Sequence, residues 1–219
     1  MEKLDEIFEL IQSNDFAIKR VGLEELAELS DPSHLDYFLE NLHSADKGVQ
    51  EVCVDHLIYL KSPNSVPSLV ENLKSENVPL RNSSFEVLSF ISHEAVDQII
   101  NNLWIHDNDV DKFLLDALIY NHRKINLTER HAEIIHKGFD IENENIVGAV
   151  VELLAILNTE ESWNVLREKC KIQNGWIQFA ILSYMDKINP DQLDLVKNEM
   201  LDSYATEEAK IFFKMKGVA

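Results

Sequence analysis

Residues 66–91 read VPSLVENLKSENVPLRNSSFEVLSFI. The opening segment, Val66-Pro67-Ser68-Leu69-Val70-Glu71-Asn72-Leu73, places Val66, Leu69 and Leu73 at i, i+3 and i+7, one stripe of an α-helix. Asn77-Val78-Pro79-Leu80-Arg81 then opens a second apolar-periodic stretch. An Asx residue in that place accepts hydrogen bonds from the exposed N–H groups of a first helical turn, so Asn77 is expected to cap a helix. The segment reads as a helix, a tight turn and a second helix.

The same reading recurs along the chain. Ile18, Val49, Leu80, Val110, Ile146 and Ile177 form one column, with steps of 31, 31, 30, 36 and 31 residues. Eight positions later stand Leu26, Leu57, Leu88, Leu118, Leu154 and Met185, and three positions earlier Asp15, Asp46, Asn77, Asp107, Asn143 and Asn174. The preceding helix repeats as Leu4, Leu35, Val66, Val96, Ala132 and Trp163, followed three residues on by Ile7, Phe38, Leu69, Ile99, Ile135 and Leu166. Four beyond those come Ile11, Leu42, Leu73, Leu103, Phe139 and Cys170. Asp31-Pro32, Ser62-Pro63 and Asn189-Pro190 separate units, each a capping residue followed by proline at a first helical position.

These columns resemble the HEAT-repeat superfamily, especially its short bacterial units of the phycobilisome-lyase-like kind. The resemblance covers residues 2–189 and implies an all-α fold: a right-handed α-solenoid, or superhelix, of six to seven stacked antiparallel helix pairs. A repeat this small cannot bury its apolar face alone, so stacking must supply the core. One continuous domain is expected over 1–219, with units at 2–30, 31–61, 62–91, 92–125, 126–157 and 158–188. A C-terminal cap follows at 189–219, in which Phe212 and Phe213 fold back on the sixth unit. The arginine usual after the Ile18-type column is here Lys19, Gln50, Arg81, Asp111, Val147 and Gln178. An inter-repeat Asp–Arg ladder is therefore mostly lost.

The 219 residues are 45% hydrophobic, 8% aromatic and 27% charged, which excludes a disordered or collagen-like chain. Lys and Arg number 20 against 39 Asp and Glu, a net charge of −19. Nucleic acid and anionic membrane surfaces would be repelled by that field. No apolar run reaches the roughly 18 residues that span a bilayer. The start, MEKLDEIFEL, is acidic and amphipathic rather than basic then apolar, so a cytoplasmic protein is expected. Two cysteines, Cys53 and Cys170, are too few for a disulfide framework or a four-thiolate zinc site. Cys53 shares a column of small residues with Gly22 and Ser84, where size for helix packing explains it.

Candidate binding residues follow from the register. Glu24, Asp55, Glu86, Asp116 and Glu152 stand two positions before the Leu26-type column. Successive repeats lie roughly 10 Å apart, so these carboxylates would form a ladder along the second helices, the layer that in the family lines the concave face. A basic protein or peptide segment would meet a negative strip, and glutamate is equally expected there as a plain solvated helix residue. Charge reversal at Glu86 and Asp116 should weaken such binding most. Trp176 lies in a first helical turn where a core residue is not demanded, and an exposed indole there would anchor a partner. The longer step between Val110 and Ile146 holds the one basic concentration, with His122, Arg123, Lys124 and Arg130 as an alternative anion contact or a solvated loop. His136 and Arg167 replace apolar residues at the Phe8, Leu39, Val70 and Ile100 register, and must be paired or opened to water.

No catalytic constellation is found: no phosphate-cradling glycine loop, no nucleophile elbow and no isolated acid pair. His131 and His136 are five apart, so they diverge by about 140° on a helix and cannot share a metal as an i, i+4 pair does. No metal or cofactor is expected. The leading expectation is a non-enzymatic adaptor that presents its acidic second-helix face to a basic protein segment. The alternative is a lyase-like enzyme or enzyme subunit acting on a cofactor or modified protein, with His122, Arg123, Trp176 and Tyr184 as its residues.

Overall fold

A computed structural model describes residues 2–172 and 174–217; the last two residues of the expected cap lie outside these. Among the described residues the regular structure is entirely helical. The chain divides into two compact units, one of residues 1–99 and 123–125, the other of residues 100–122 and 126–219.

Unit 1 holds α1 (Glu2–Ile11), α2 (Phe16–Glu28), α3 (Leu35–Asn41), α4 (Lys47–Leu60), α5 (Val66–Leu73) and α6 (Val78–Ile91). The helices pair as α1 with α2, α3 with α4 and α5 with α6, and the second helices stack in the order α2, α4, α6. α7 (Val96–Asn101) crosses the boundary between the units. Unit 2 continues with α8 (Asn108–Tyr120), α9 (Glu129–Ile135), α10 (Glu144–Leu157), α11 (Glu160–Cys170), α12 (Gly175–Ile188), α13 (Pro190–Ser203) and α14 (Glu207–Met215). Here α8, α10, α12 and α14 pack in succession, with α11 against α12 and α13 beside both.

Local chemistry explains where the second helices start. Asp15, Asp46, Asn77, Asp107, Asn143 and Asn174 each cap one, and each side chain accepts an N–H from the first turn. Such a cap contributes about 1 kcal/mol. Pro190 opens α13 directly, whereas Pro32 and Pro63 open single 3-10 turns, Pro32–His34 and Pro63–Ser65, that run into α3 and α5.

Burial follows the columns. Ile7, Phe38, Leu69, Ile99, Ile135 and Leu166 are buried, as are Leu26, Leu57, Leu88, Leu118, Leu154 and Met185. In the Ile18 column two members depart from this: Ile18 is 43% exposed and Ile177 is half-buried. Within unit 2, Phe212 and Phe213 are buried, and Phe212 meets the Phe179 ring edge-on at 5.9 Å.

The lengthened repeat departs from the simple template. Its first helix, α9, is short and passes into a 3-10 segment, His136–Asp140. Trp104 locks this region although its φ is +67°, a conformation unfavourable for a bulky residue. Its N–H donates to Asp111 Oδ1 at 2.9 Å and its indole N–H to the Ile134 carbonyl at 2.7 Å. The indole also lies over Gly138, where a Cβ would come within 2.5 Å of the ring.

Candidate functional site

The five carboxylates of the register stand on successive second helices: Glu24 on α2, Asp55 on α4, Glu86 on α6, Asp116 on α8 and Glu152 on α10. Their surroundings differ. In unit 2, Lys112 reaches Asp116 at 2.5 Å from one turn earlier, and Glu152 accepts a hydrogen bond from the Tyr184 hydroxyl. Burial and that carboxylate together push the Tyr184 phenol well above its ordinary pKa, so it stays protonated. Both acids of unit 2 are thus engaged locally, and Asp116 is not the open position that its register implies.

In unit 1, Glu24 holds Arg20 at 3.3 Å in an exposed i, i+4 pair. Asp55 and Glu86 have no ion-pair partner among the described residues. Both line a groove of about 750 Å³ between α4 and α6, together with Gln50, Glu51, Asn82 and Ser83. Among the described residues Lys47 is the one cation on its wall, and it pairs with Glu51 at 3.3 Å. Asp55 also borders a second groove, of about 490 Å³ between α2 and α4, beside Glu24, Glu28, His56 and Tyr59. Among the described residues no Lys or Arg lines that second groove.

The register hides a further relation. Four residues after each acid, one turn along the same face, come Glu28, Tyr59, Phe90, Tyr120 and Ile156. Tyr59, Phe90 and Tyr120 are exposed. Sequence reasoning did not single out these rings; the signal that would have found them is an aromatic residue recurring on a helix face whose neighbours are charged.

The remaining candidates lie apart from the grooves of unit 1. Trp176, in the first turn of α12, is 39% exposed and rests over Gly148 of α10, where a Cβ would sit 2.9 Å from its ring. It therefore packs two second helices together as well as facing solvent. Tyr184 lies two turns further along α12. His122 belongs to unit 2, its Nδ1 2.8 Å from the Ile119 carbonyl, while Arg123 and Lys124 belong to unit 1. Arg123, Lys124 and Arg130 are exposed.

The charged residues at the apolar register are paired. Arg167 donates to Glu160 at 2.7 Å and to Asn164 and Gln192, and His136 Nδ1 lies 3.2 Å from the Ala132 carbonyl. His131 turns to the start of its own helix, where its Nδ1 accepts the Thr128 N–H at 3.1 Å. No group of three or more His, Cys, Asp or Glu residues is placed to hold a metal ion among the described residues. Burial pushes both thiols, Cys53 and Cys170, up to about 12, which leaves them un-ionised at neutral pH. No helix among the described residues is long and apolar enough to cross a membrane.

No family model matches the chain, and no curated protein matches it. Among solved structures, an engineered protein is 15% identical, with a TM-score of 0.44 over 87% of this chain and 98% of its own. A designed armadillo repeat protein in complex with the peptide (KR)4 is 12% identical, with a TM-score of 0.44 over 85% of this chain and 100% of that one. The CpcE–CpcF complex of phycocyanin lyase from Nostoc sp. is 14% identical, with a TM-score of 0.38 over 92% of this chain and 82% of that one. Capped helix pairs whose second helices stack on one another, in each unit, give the chain the all-α helical-repeat fold that its residue columns imply.

Proposed function

We propose that the chain is a non-enzymatic scaffold that binds a basic protein segment along the second helices of unit 1. The observation that carries this reading is the pair Asp55 and Glu86: two carboxylates in one groove, neither neutralised by an ion pair among the described residues. Carboxylates left open beside a groove attract a cationic partner without first having to release an internal one. The net charge of −19 adds long-range steering of the same sign. Asp116 and Glu152 take a smaller part, since each already has a local partner. Trp176 is proposed as a separate apolar anchor on unit 2.

Binding of a lysine- and arginine-rich peptide tests this by titration at low and high salt. Charge reversal of Asp55 or Glu86 to Lys is expected to weaken binding by about tenfold or more, a loss of about 1.4 kcal/mol. Reversal of Asp116 is expected to cost less. Binding that ignores both salt and the Asp55 and Glu86 reversals would overturn the proposal.

A further inference from the structure

The groove between α2 and α4 differs in kind from its neighbour. Tyr59 stands on its wall with 65% of its surface open. Around the ring are Glu24, Glu28 and Asp55. The Arg20–Glu24 contact is an exposed i, i+4 pair, weakly held, and yields readily to a better-held cation. His56 also lines the groove, only 5% exposed, its ring stacked at 24° against Tyr59 and tilted at 38° to Phe38. Its Nε2 is buried without a hydrogen-bond partner. Buried polar atoms are nearly always satisfied, so an unsatisfied acceptor on a residue that lines the groove leaves capacity for a ligand N–H donor.

We infer that this groove is a guanidinium subsite, which selects arginine over lysine in the basic segment. The inference deepens the function proposed above and rests on it. A guanidinium is planar and weakly hydrated, so it lies flat on an exposed phenol ring while its fork of N–H donors reaches carboxylates to either side. Tyr59 supplies the ring, and Asp55 and Glu28 supply acceptors that hold no cation of their own among the described residues. Lysine offers a compact, strongly hydrated charge that gains from the acids but little from the ring. Burial keeps the His56 imidazole below its usual pKa, aided by the charge of His34, so it is uncharged at neutral pH and does not repel a cation.

The test compares oligoarginine and oligolysine peptides of equal length, on the wild-type chain and on Tyr59→Ala and Tyr59→Phe. Tyr59 is exposed enough for either substitution to leave the fold intact, which far-ultraviolet circular dichroism checks. The expected result is an arginine peptide bound roughly five- to tenfold more tightly than the lysine peptide. That preference should vanish in Tyr59→Ala and survive in Tyr59→Phe. Equal affinity for the two peptides, or an arginine preference untouched by Tyr59→Ala, overturns the subsite while leaving the acidic scaffold standing. Failure of both peptides to bind removes the scaffold reading and this inference with it.

Discussion

The Gln178 amide donates a hydrogen bond to the Cys170 carbonyl, eight residues back, at 2.8 Å. Gln50 makes the same bond to Leu42 at 3.0 Å, again across eight residues. The two glutamines occupy one column of the repeat, the position that follows the Ile18-type column. Arg81 there donates to the Ser75 carbonyl at 2.8 Å, and Asp111 accepts the Trp104 N–H. At these four positions the column pins the turn between the two helices of its own repeat, satisfying carbonyl or amide groups that the end of the first helix leaves open.

Gln178 does more than Gln50. Its Nε2 also donates to Ile172 and Tyr204 carbonyls, and its Oε1 accepts the Thr206 N–H, so it ties α12 to the α13–α14 connection. Gln178→Leu strands several buried groups and is expected to cost about 3–4 kcal/mol, against about 1–2 kcal/mol for Gln50→Leu. Denaturant unfolding of both variants measures the difference. Equal losses would mean that apolar packing of Phe212 and Phe213 alone holds the C-terminal hairpin.

Asp111 is the buried member of that column, and its burial predicts a pH dependence. Loss of solvent raises its carboxyl above the ordinary range, more than the Trp104 N–H and the His106 charge lower it; the Asp107 charge adds to the rise. A carboxyl raised in the fold binds its proton more readily there than in the unfolded chain. Its contribution to stability therefore grows as pH falls through the folded pKa and is lost as pH rises through it. Asp111→Asn keeps an oxygen for the Trp104 N–H and removes the ionisation. The variant should melt higher than wild type at pH 7, with the gap closing toward pH 4. A gap that widens on acidification would assign the carboxylate a stabilising charge instead.

The columns were legible because each rests on a rule acting within a few residues. An Asx cap needs only the next three N–H groups, and an apolar stripe needs only the helical period. Asp46 and Leu57 are cases in point. The state of Asp116 and Glu152 depends instead on Lys112 and Tyr184, whose rotamers answer to packing that no period encodes. Trp104 escaped for a related reason: its backbone is held left-handed by Asp111, and its ring by the absence of a Cβ at Gly138. The Tyr59 ring was legible in principle, four residues after Asp55 in a register that Phe90 and Tyr120 share, but an aromatic on a polar face has no weight until a groove forms beside it.

The small-residue column makes a prediction of opposite signs. Gly22 lies where a Cβ would meet the Leu10 Cβ at 2.7 Å and the Ile11 backbone nitrogen at 2.8 Å, so α1 and α2 touch through their backbones. Gly22→Ala cannot be absorbed by a flexible side chain and should destabilise by about 1–3 kcal/mol. Ser84, two repeats on, is fully buried and its hydroxyl has no hydrogen-bond partner. Ser84→Ala removes an unsatisfied group at nearly constant volume, and is expected to stabilise by about 1 kcal/mol. Thermal melts of the two variants against wild type check both signs. A loss of stability in Ser84→Ala would show that the hydroxyl has found a partner, such as water.

Ser30 and Asn158 share a left-handed backbone, each with φ +52°, at or just past the end of a second helix. For side-chain-bearing residues that conformation is costly, and glycine relieves it at the expense of chain entropy. Ser30 is exposed, and its hydroxyl makes one long contact, 3.4 Å to the Ala27 carbonyl. Ser30→Gly should therefore gain about 0.5 kcal/mol, the small surplus of relieved strain over entropy. Asn158 is different because its side-chain oxygen accepts the Trp163 indole N–H at 2.7 Å and the Asn189 amide at 3.2 Å. Trp163 is a fully buried core residue, so losing its acceptor strands a donor away from water. Asn158→Gly relieves the same strain yet should lose about 1–2 kcal/mol net, since an unsatisfied buried donor costs roughly 1–3 kcal/mol. Tryptophan fluorescence should report a changed indole environment in Asn158→Gly alone. Equal stabilisation of the two variants would show that backbone strain, not the Asn158–Trp163 bond, governs these helix ends.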